Sequence, residues 1–311
     1  MKNEINITNI NVEYFSEHSA IPFTLNKYIK KGQEVYSWST TSSFFPENMK
    51  DAQLRIKYLM DNVKTVGLDD LAMPDQPKED NICHELTFKE ISDFFESKEY
   101  KAQGTIWNVN KPYTAIFMTK ETHDKILEKY KRSVSLVYPA ADCAIVRYYD
   151  KEKEVIGLTH SDGYFTGQNI VKDMTNYMKN HFNSTIDDIE VYIGAFAKEN
   201  WIYDKVPNWA INKDEKGNII TYRGEWEKYI AKISDNKYEI NYGDYLYDQI
   251  IKSGINKKNL SFDPNNTLFS IDYFSNARSK QNNEREGRNL IGITFDKEIL
   301  NKLEDTEIKL K

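Results

Sequence analysis

The sequence predicts a protein of the mixed α and β class, because short apolar strands and amphipathic helices follow one another without a regular repeat. Residues 133–158 contain three runs rich in β-branched and aromatic residues, separated by short polar turns, and residues 168–182 place apolar side chains at helical spacing. No low-complexity linker divides the chain of 311 residues, so we expect one domain over residues 1–311.

The elements follow in chain order. Helices are predicted over residues 47–64, 88–97, 124–131, 168–182, 244–253 and 297–303. Thr87 and Glu90 form a capping box before the second of these, and Thr122 is the expected N-cap of the third. Strands are predicted over residues 114–119, 133–138, 144–149, 154–158, 190–196 and 290–295. Turn signals at 214–217 and 234–236 predict hairpins within 204–241, which we interpret as an insertion near the mouth of a cleft.

Composition excludes several classes of protein. The net charge of −6, with basic residues spread among acidic ones, is not that of a general nucleic-acid binder. No apolar stretch has the length of a membrane span, and residues 1–25 are too polar for a signal peptide. The two cysteines, Cys83 and Cys143, permit at most one disulfide. We therefore expect a cytoplasmic protein whose partner is a small-molecule substrate, not nucleic acid or a membrane.

Cys143 and His160 are the leading candidate site residues, because each lies where a predicted strand meets a turn. Strand ends of this kind meet in one cleft in many α/β proteins. The alternative is that Cys143 is a small buried hydrophobe and His160 a hydrogen-bonded loop residue.

Four segments in order carry a resemblance to a known family. They are Ala141-Asp142-Cys143 after a strand, the strand into His160, the strand ending at Gly194, and Tyr273-Phe274-Ser275 followed by Arg278 and Gly287-Arg288. Together they resemble the laccase-domain polyphenol oxidase family of YfiH type, also described as purine nucleoside-processing or peptidoglycan-editing proteins. The match is clearest over 133–300, whereas residues 1–110 are divergent.

The resemblance implies a layered α/β/β/α sandwich with mixed sheets, similar to the catalytic domain of cytotoxic necrotizing factor. It also implies one zinc or copper ion held by a histidine, a cysteine and a second histidine, here His123, Cys143 and His160. The first ligand stays open. His84 is a rival, and the segment from Gln76 puts Lys78 at the ligand position. Alternatively, His123 is an exposed residue in the first turn of a helix.

Other residues of the resembling segments are candidates for catalysis or substrate binding. Asp142 is expected to orient a histidine or carry a proton, unless it only stabilises a turn. Ser275, Arg278 and Arg288 match a motif in which arginines hold phosphate or carboxylate, and the alternative is a pair of solvated arginines.

The loop after His160 departs from the family pattern, because Ser161 to Thr166 replaces a small-Trp-Arg sequence. We expect Asp162 to disfavour a phosphate there and Tyr164 or Phe165 to stack on an uncharged or cationic ligand.

Three hypotheses follow for function. The first is a metal-dependent enzyme acting on a purine nucleoside or a similar small polar or aromatic substrate. The second is a metal-free hydrolase or deamidase in which Cys143 is the nucleophile and His160 the base. The third is a binding or regulatory protein that kept the fold without the activity.

Overall fold

The computed structural model describes residues 8–16, 19–30, 33–40, 69–74, 82–98, 100, 106–109, 113–284, 286–295 and 309–310. Within 8–40, 106–109 and 309–310, side chains are described only for Val35, Ser39 and Val109. The helices predicted over 47–64 and 297–303, and the segment that contains Gln76 and Lys78, lie outside the described residues.

The described strands are β1 (Thr8–Ser16), β2 (Ser19–Lys30), β3 (Gln33–Thr40), β4 (Asp70–Pro74), β5 (Cys83–Glu85), β6 (Ile106–Val109), β7 (Ala115–Thr119), β8 (Val134–Ala140), β9 (Ala144–Asp150), β10 (Val155–Ser161), β11 (Ile189–Ile193), β12 (Trp201–Tyr203), β13 (Ile211–Lys213), β14 (Ile219–Tyr222), β15 (Ile230–Ser234), β16 (Lys237–Ile240), β17 (Leu260–Phe262), β18 (Asn289–Thr294) and β19 (Lys309–Leu310). The described α-helices are α1 (Phe88–Glu96), α2 (Lys120–Tyr130), α3 (Gly163–Gly167), α4 (Ile170–His181), α5 (Tyr242–Lys252) and α6 (Asn276–Asn282).

Two mixed sheets form the framework of the described residues. The larger has the strand order β19-β1-β2-β3-β18-β8-β4-β6, and the second has the order β17-β11-β9-β10-β7-β5. β4 pairs in parallel with β6 and β8, and β5 pairs in parallel with β7, while β9 and β10 are antiparallel. The predicted class, with layered mixed sheets, is confirmed.

Strand β9 lies between two hydrophobic cores, because successive side chains of a strand point to opposite faces. Ile145 and Tyr149 belong to the core between the two sheets, with Leu136 of β8 and Ile291 of β18. Val146 and Tyr148 belong to the other core, which contains these residues of α4 and α5: Met174, Met178, Leu246 and Ile250. The second sheet is therefore buried on both faces.

A tight turn fixes the register of β9 and β10. The side chain of Asp150 accepts hydrogen bonds from the backbone N–H groups of Glu152 (2.8 Å) and Lys153 (2.9 Å). Glu154 completes the turn with a φ of 53°. With the turn closed there, Val155 pairs with Asp150 and His160 pairs with Ile145. The polar turn between these two strands is as predicted.

Some element boundaries differ from the predictions. Helix α2 begins at Lys120, because the Thr119 side chain accepts a hydrogen bond from the Thr122 backbone N–H and caps the helix one turn earlier than expected. Strand β11 ends at Ile193, and the following chain makes only an isolated bridge between Phe196 and Asn266. Residues 163–167 form the short helix α3 in place of a loop.

Other local predictions are confirmed. Thr87 and Glu90 form the predicted capping box of α1. Hairpins β13–β14 and β15–β16 turn at the two predicted positions within 204–241. Among the helices the structure describes, none is long and apolar enough to cross a membrane.

Candidate functional site

Cys143 and His160 meet at the open end of the β9–β10 ladder. His160 pairs with Ile145, and Cys143 lies two residues before Ile145, so both side chains are on the same face of the sheet. Diagonal neighbours on one face of a sheet are about 7–8 Å apart, within reach of a long or aromatic side chain such as that of His160. The imidazole ring stacks on Tyr138 of β8 with ring centroids 4.6 Å apart. The thiol and the imidazole therefore lie at the same end of the ladder, which we call the cleft edge.

Burial decides the charge of both groups. Burial raises the pKa of the Cys143 thiol well above its ordinary value, and the negative charges of Asp162 and Asp142 raise it further against the opposing effect of Arg288. Burial lowers the pKa of His160 to about 4, although Asp162 acts to raise it. At neutral pH the thiol is therefore protonated and the imidazole uncharged. A neutral imidazole carries a lone pair on one ring nitrogen, the form in which histidine binds metal ions.

Asp142 holds the turn that presents Cys143. The residue has a φ of 77° and is almost fully buried. One carboxylate oxygen accepts a hydrogen bond from the Thr267 hydroxyl (2.8 Å), and the other accepts one from the Ala277 backbone N–H at the start of α6 (2.7 Å). This is the turn-stabilising alternative. With both oxygens engaged, the geometry gives no support to a role in carrying protons.

Arg278 is a structural arginine. Its guanidinium donates hydrogen bonds to the carbonyl oxygens of Thr267 (2.7 Å), Ser270 (2.6 Å) and Tyr273 (2.9 Å), and it also pairs with Glu284. It is therefore neither a solvated residue nor a group available to a substrate. This corrects both interpretations of Arg278, since the loop carbonyls occupy the fork that would hold an anion.

Ser275 and Arg288 have different positions in the same motif. Ser275 is buried and caps α6, its hydroxyl accepting a hydrogen bond from the Arg278 backbone N–H at 3.0 Å. Arg288 is exposed, and its charge lowers the pKa of both Cys143 and His160 after the larger effects named above. Of these two residues, Arg288 is the one whose charged group acts on the cleft edge.

The loop after His160 is closed against the protein. Asp162 caps α3 by accepting a hydrogen bond from the Phe165 backbone N–H at 2.8 Å. Phe165 is buried in the core, and the Arg223 guanidinium lies 4.0 Å from the centre of the Tyr164 ring. The expectation that Tyr164 or Phe165 stacks on a ligand is therefore wrong for Phe165, because core packing takes its ring. For Tyr164, Arg223 covers a face of the ring.

His123 lies at the other end of the second sheet. Thr119 pairs with Val155, whereas Ala115 pairs with Thr159 beside His160. The five residues of β7 thus separate the two histidines, a span of about 13 Å at the usual rise of a strand. His123 is 3% exposed and packs its ring against Phe295 with centroids 5.7 Å apart. The structure does not bring His123 to Cys143, and the residue is buried rather than exposed.

His84 is not part of the cluster either. It lies in β5 and pairs with Ile116 of β7, so β7 separates it from β10. Its Nε2 lies 3.0 Å from both carboxylate oxygens of Glu90. Its ring stacks on Tyr113 with centroids 3.9 Å apart. These contacts fix His84 at the edge strand β5, away from Cys143.

Tyr203 and Tyr242 lie beside the site and carried no signal in the sequence. Burial raises the pKa of Tyr203, and the nearby Cys143 and Asp142 raise it further against the effect of a hydrogen bond with Trp209. Tyr242 is the first residue of α5, and its hydroxyl reaches the ends of β9 and β10. The sequence near Tyr242 shows only that a tyrosine follows the N-cap residue Asn241. This pattern does not predict what the tyrosine ring contacts.

Comparison with known proteins identifies the family of this chain. Residues 99–296 match the model of the family described as multi-copper polyphenol oxidoreductase laccase, a range that contains Cys143, His160 and Arg288. The chain belongs to this family. The resemblance noted from the sequence is confirmed.

One curated relative and two solved structures add detail. A purine nucleoside phosphorylase of Clostridium acetobutylicum is 47% identical over 58 residues, which is 19% of this chain and only 25% of that protein. The hypothetical protein YfiH of Bacillus licheniformis is 17% identical, with a TM-score of 0.58 over 91% of this chain and 99% of its own. YlmD of Geobacillus stearothermophilus is 13% identical, with a TM-score of 0.56 over 91% and 98%. The solved structures share the fold.

The family name raises the question of a metal ion. Cys143 and His160 are a thiol and an imidazole, donors that suit zinc or copper. Within the described ranges, however, no group of three His, Cys, Asp or Glu side chains is placed to hold an ion. The described donors are thus one short of the three-ligand centre predicted from the sequence, because His123 and His84 both lie elsewhere.

Proposed function

We propose that this family member is an enzyme that acts on a purine nucleoside, or a similar small polar or aromatic substrate, at the cleft edge formed by Cys143 and His160. The observation that carries the proposal is geometric: Cys143 and His160 lie at the same end of the β9–β10 ladder. The exposed Arg288 is close enough to lower the pKa of both. The name of the relative from Clostridium acetobutylicum supports the substrate class.

The proposal gives each group a role. Cys143 and His160 would be two ligands of a zinc or copper ion, and such an ion would need at least one further donor. Such an ion, when bound, supplies a Lewis acid and a hydroxide near neutral pH. Arg288 binds the phosphate that phosphorolysis consumes, since a guanidinium holds two phosphate oxygens with parallel hydrogen bonds. Tyr138 holds the imidazole plane by stacking.

A metal-free Cys143–His160 pair is the second candidate, and the lack of a third donor among the residues that the structure describes favours it. It requires a thiolate, which a lowered thiol pKa or an adjacent base would provide. Burial acts against the thiolate at Cys143 and against the imidazolium at His160. A metal-bound cysteine is also a thiolate, so these pKa shifts do not separate the two candidates.

Metal analysis of freshly purified protein separates the candidates. We expect about one equivalent of zinc or copper in the wild type and a large loss in Cys143→Ser and His160→Ala, since a hydroxyl or methyl group is a poor ligand. Purine release from nucleosides should depend on phosphate and fall in both variants. Equal metal content in all three proteins would refute the metal site, and activity without metal that requires Cys143 would favour the pair alone.

Arg288→Gln tests the phosphate role. Thermal-shift screening of nucleosides, their monophosphates and inorganic phosphate measures binding, because a ligand of the native state raises its apparent stability. We expect phosphate to stabilise the wild type but not Arg288→Gln. If nucleosides but not phosphate stabilise both proteins, Arg288 does not bind phosphate. That result would support the expectation that Asp162 disfavours anions at this edge.

A further inference from the structure

We propose that Tyr242 is a positioning residue that sets the separation of Cys143 and His160. Its hydroxyl group lies between the backbones of the two strands that carry these side chains. The catalytic consequence rests on the function proposed above, whereas the structural claim concerns the thiol and the strand ends alone.

The hydroxyl joins two residues that are paired at the end of the ladder. Ala144 pairs with Ser161, and these residues directly follow Cys143 and His160. The Tyr242 hydroxyl donates a hydrogen bond to the Ser161 carbonyl oxygen and accepts one from the Ala144 backbone N–H (3.4 Å). One side chain from a helix thus bridges the N–H of one strand to the C=O of the other, next to both candidate residues.

Aromatic packing around the Tyr242 ring fixes the position of its hydroxyl. Tyr242 is fully buried, and its ring contacts Phe196, Trp201 and Trp226 with centroids 5.4, 6.2 and 5.8 Å away. A ring confined by three other aromatic rings has little freedom to rotate or withdraw. The hydroxyl therefore imposes its position on the two strand ends.

The loop after His160 is tied to the same hydroxyl. The Thr166 hydroxyl lies 3.4 Å from the Tyr242 hydroxyl and 2.8 Å from the Ser161 hydroxyl, and it donates to the Asp162 carbonyl oxygen at 2.6 Å. The Gln249 amide of α5 donates to the Thr166 carbonyl oxygen at 2.6 Å. Helix α5 thus fixes both strand ends and helix α3 through neighbouring hydrogen bonds.

Loss of the hydroxyl would free the end of the ladder. Each hydrogen bond to the hydroxyl adds to the stability of this region, so local opening at Cys143 becomes more favourable when the bonds are lost. Cys143 is half-buried, so a reagent reaches its thiol faster when the surrounding strand ends open further. An increase in the alkylation rate at Cys143 therefore reports loss of the restraint.

The experiment compares Tyr242→Phe with Tyr245→Phe in the full chain. Tyr245 is the control, because it is also buried on α5 but its hydroxyl bonds to the Glu225 backbone N–H at 2.8 Å and to Gln249, and not to either strand end. Alkylation by iodoacetamide is followed at both cysteines by peptide mass spectrometry, so that Cys83 reports any general loosening. Melting temperatures and the kcat and KM of nucleoside turnover are measured on the same samples.

We expect Tyr242→Phe to alkylate Cys143 about tenfold faster, which corresponds to about 1.4 kcal/mol of easier opening. Cys83 should react at the wild-type rate, and kcat should fall while KM changes little, since the substrate contacts remain. Tyr245→Phe should lower the melting temperature without a selective change at Cys143.

Equal Cys143 rates in the two variants, or a parallel rise at Cys83, would overturn the positioning role. The test of the proposed function is separate. If Cys143→Ser retained full nucleoside turnover, that function would fail, while the alkylation rates would still decide the role of Tyr242.

Discussion

Trp226 donates a hydrogen bond from its indole N–H to the carbonyl oxygen of Gly163 at 2.8 Å, and so fixes the first residue of α3. The ring of Trp209 covers the same glycine, since a Cβ built there would lie 2.5 Å from Cδ2 of that ring. Two tryptophans from the 204–241 segment therefore hold the short helix that follows His160. Both indole rings pack against α3. They can approach it this closely because Gly163 has no side chain.

Gly163→Ala should destabilise the protein by about 1–3 kcal/mol, the usual cost of overpacking a core. Chemical denaturation measures the effect. A second substitution, Trp209→Leu, provides the control, because a smaller side chain leaves room for the new methyl group. The double variant should lose less than the sum of the two single losses, and simple additivity would contradict the contact.

Arg278→Lys should affect stability, whereas Arg288→Lys should affect phosphate binding. The first removes a fork bound to three carbonyl oxygens and should lower the free energy of unfolding by about 1.5–3 kcal/mol, the range for hydrogen bonds from a charged donor. The second alters an exposed side chain and should change stability by less than about 0.5 kcal/mol. Its effect should instead be a weaker response to phosphate. Equal stability losses would contradict the two assignments.

His123→Ala should leave metal content at the wild-type level, because the residue lies about 13 Å along β7 from the site. It should still cost about 0.5–3 kcal/mol of stability, the common range for a substitution, since the ring is buried against Phe295. Metal analysis and thermal unfolding check both outcomes. A metal loss as large as that of His160→Ala would reinstate His123 as a ligand.

Asp70 should make stability depend on pH between about 4 and 6. Burial raises its pKa from 3.8 to about 6, although Arg132, at 2.6 Å, acts to lower it. The native state then binds more protons than the unfolded state in that window, so the stabilising effect present at low pH is lost as pH rises towards neutrality. Relative to Asp70→Asn, the wild type should lose on the order of 2–3 kcal/mol across the window.

The control for this pH effect is Asp124→Asn. The Asp124 pKa is lowered to about 2, first by a hydrogen bond with His123 and also by Lys120. Its contribution to stability should therefore have the opposite sign and be lost as pH falls towards 2. Unfolding by denaturant at a series of pH values measures both variants. A wild-type curve parallel to that of Asp70→Asn would show that the Asp70 carboxyl is not shifted.

The sequence by itself determined the class of fold and the family, and it predicted Cys143 and His160 as the central residues of the candidate site. Local signals are enough for these: the apolar, β-branched and aromatic runs of β9 and β10, the turn at Asp150, and the order of short motifs around Cys143 and His160. The register that puts the thiol and the imidazole on one face follows from this hairpin, because its turn is only a few residues long.

Only the tertiary structure decided which remaining polar residues reach the site. Asp142, Ser275 and Arg278 are close to it in space but are taken up by caps and loop carbonyls. His123 follows the end of β7 that is far from His160, and this placement depends on how β7 pairs with β10. Tyr242 enters from a helix 81 residues after Ser161. Hydrogen-bond partners distant in the chain leave no periodic trace in the sequence, so only the packed fold reveals them.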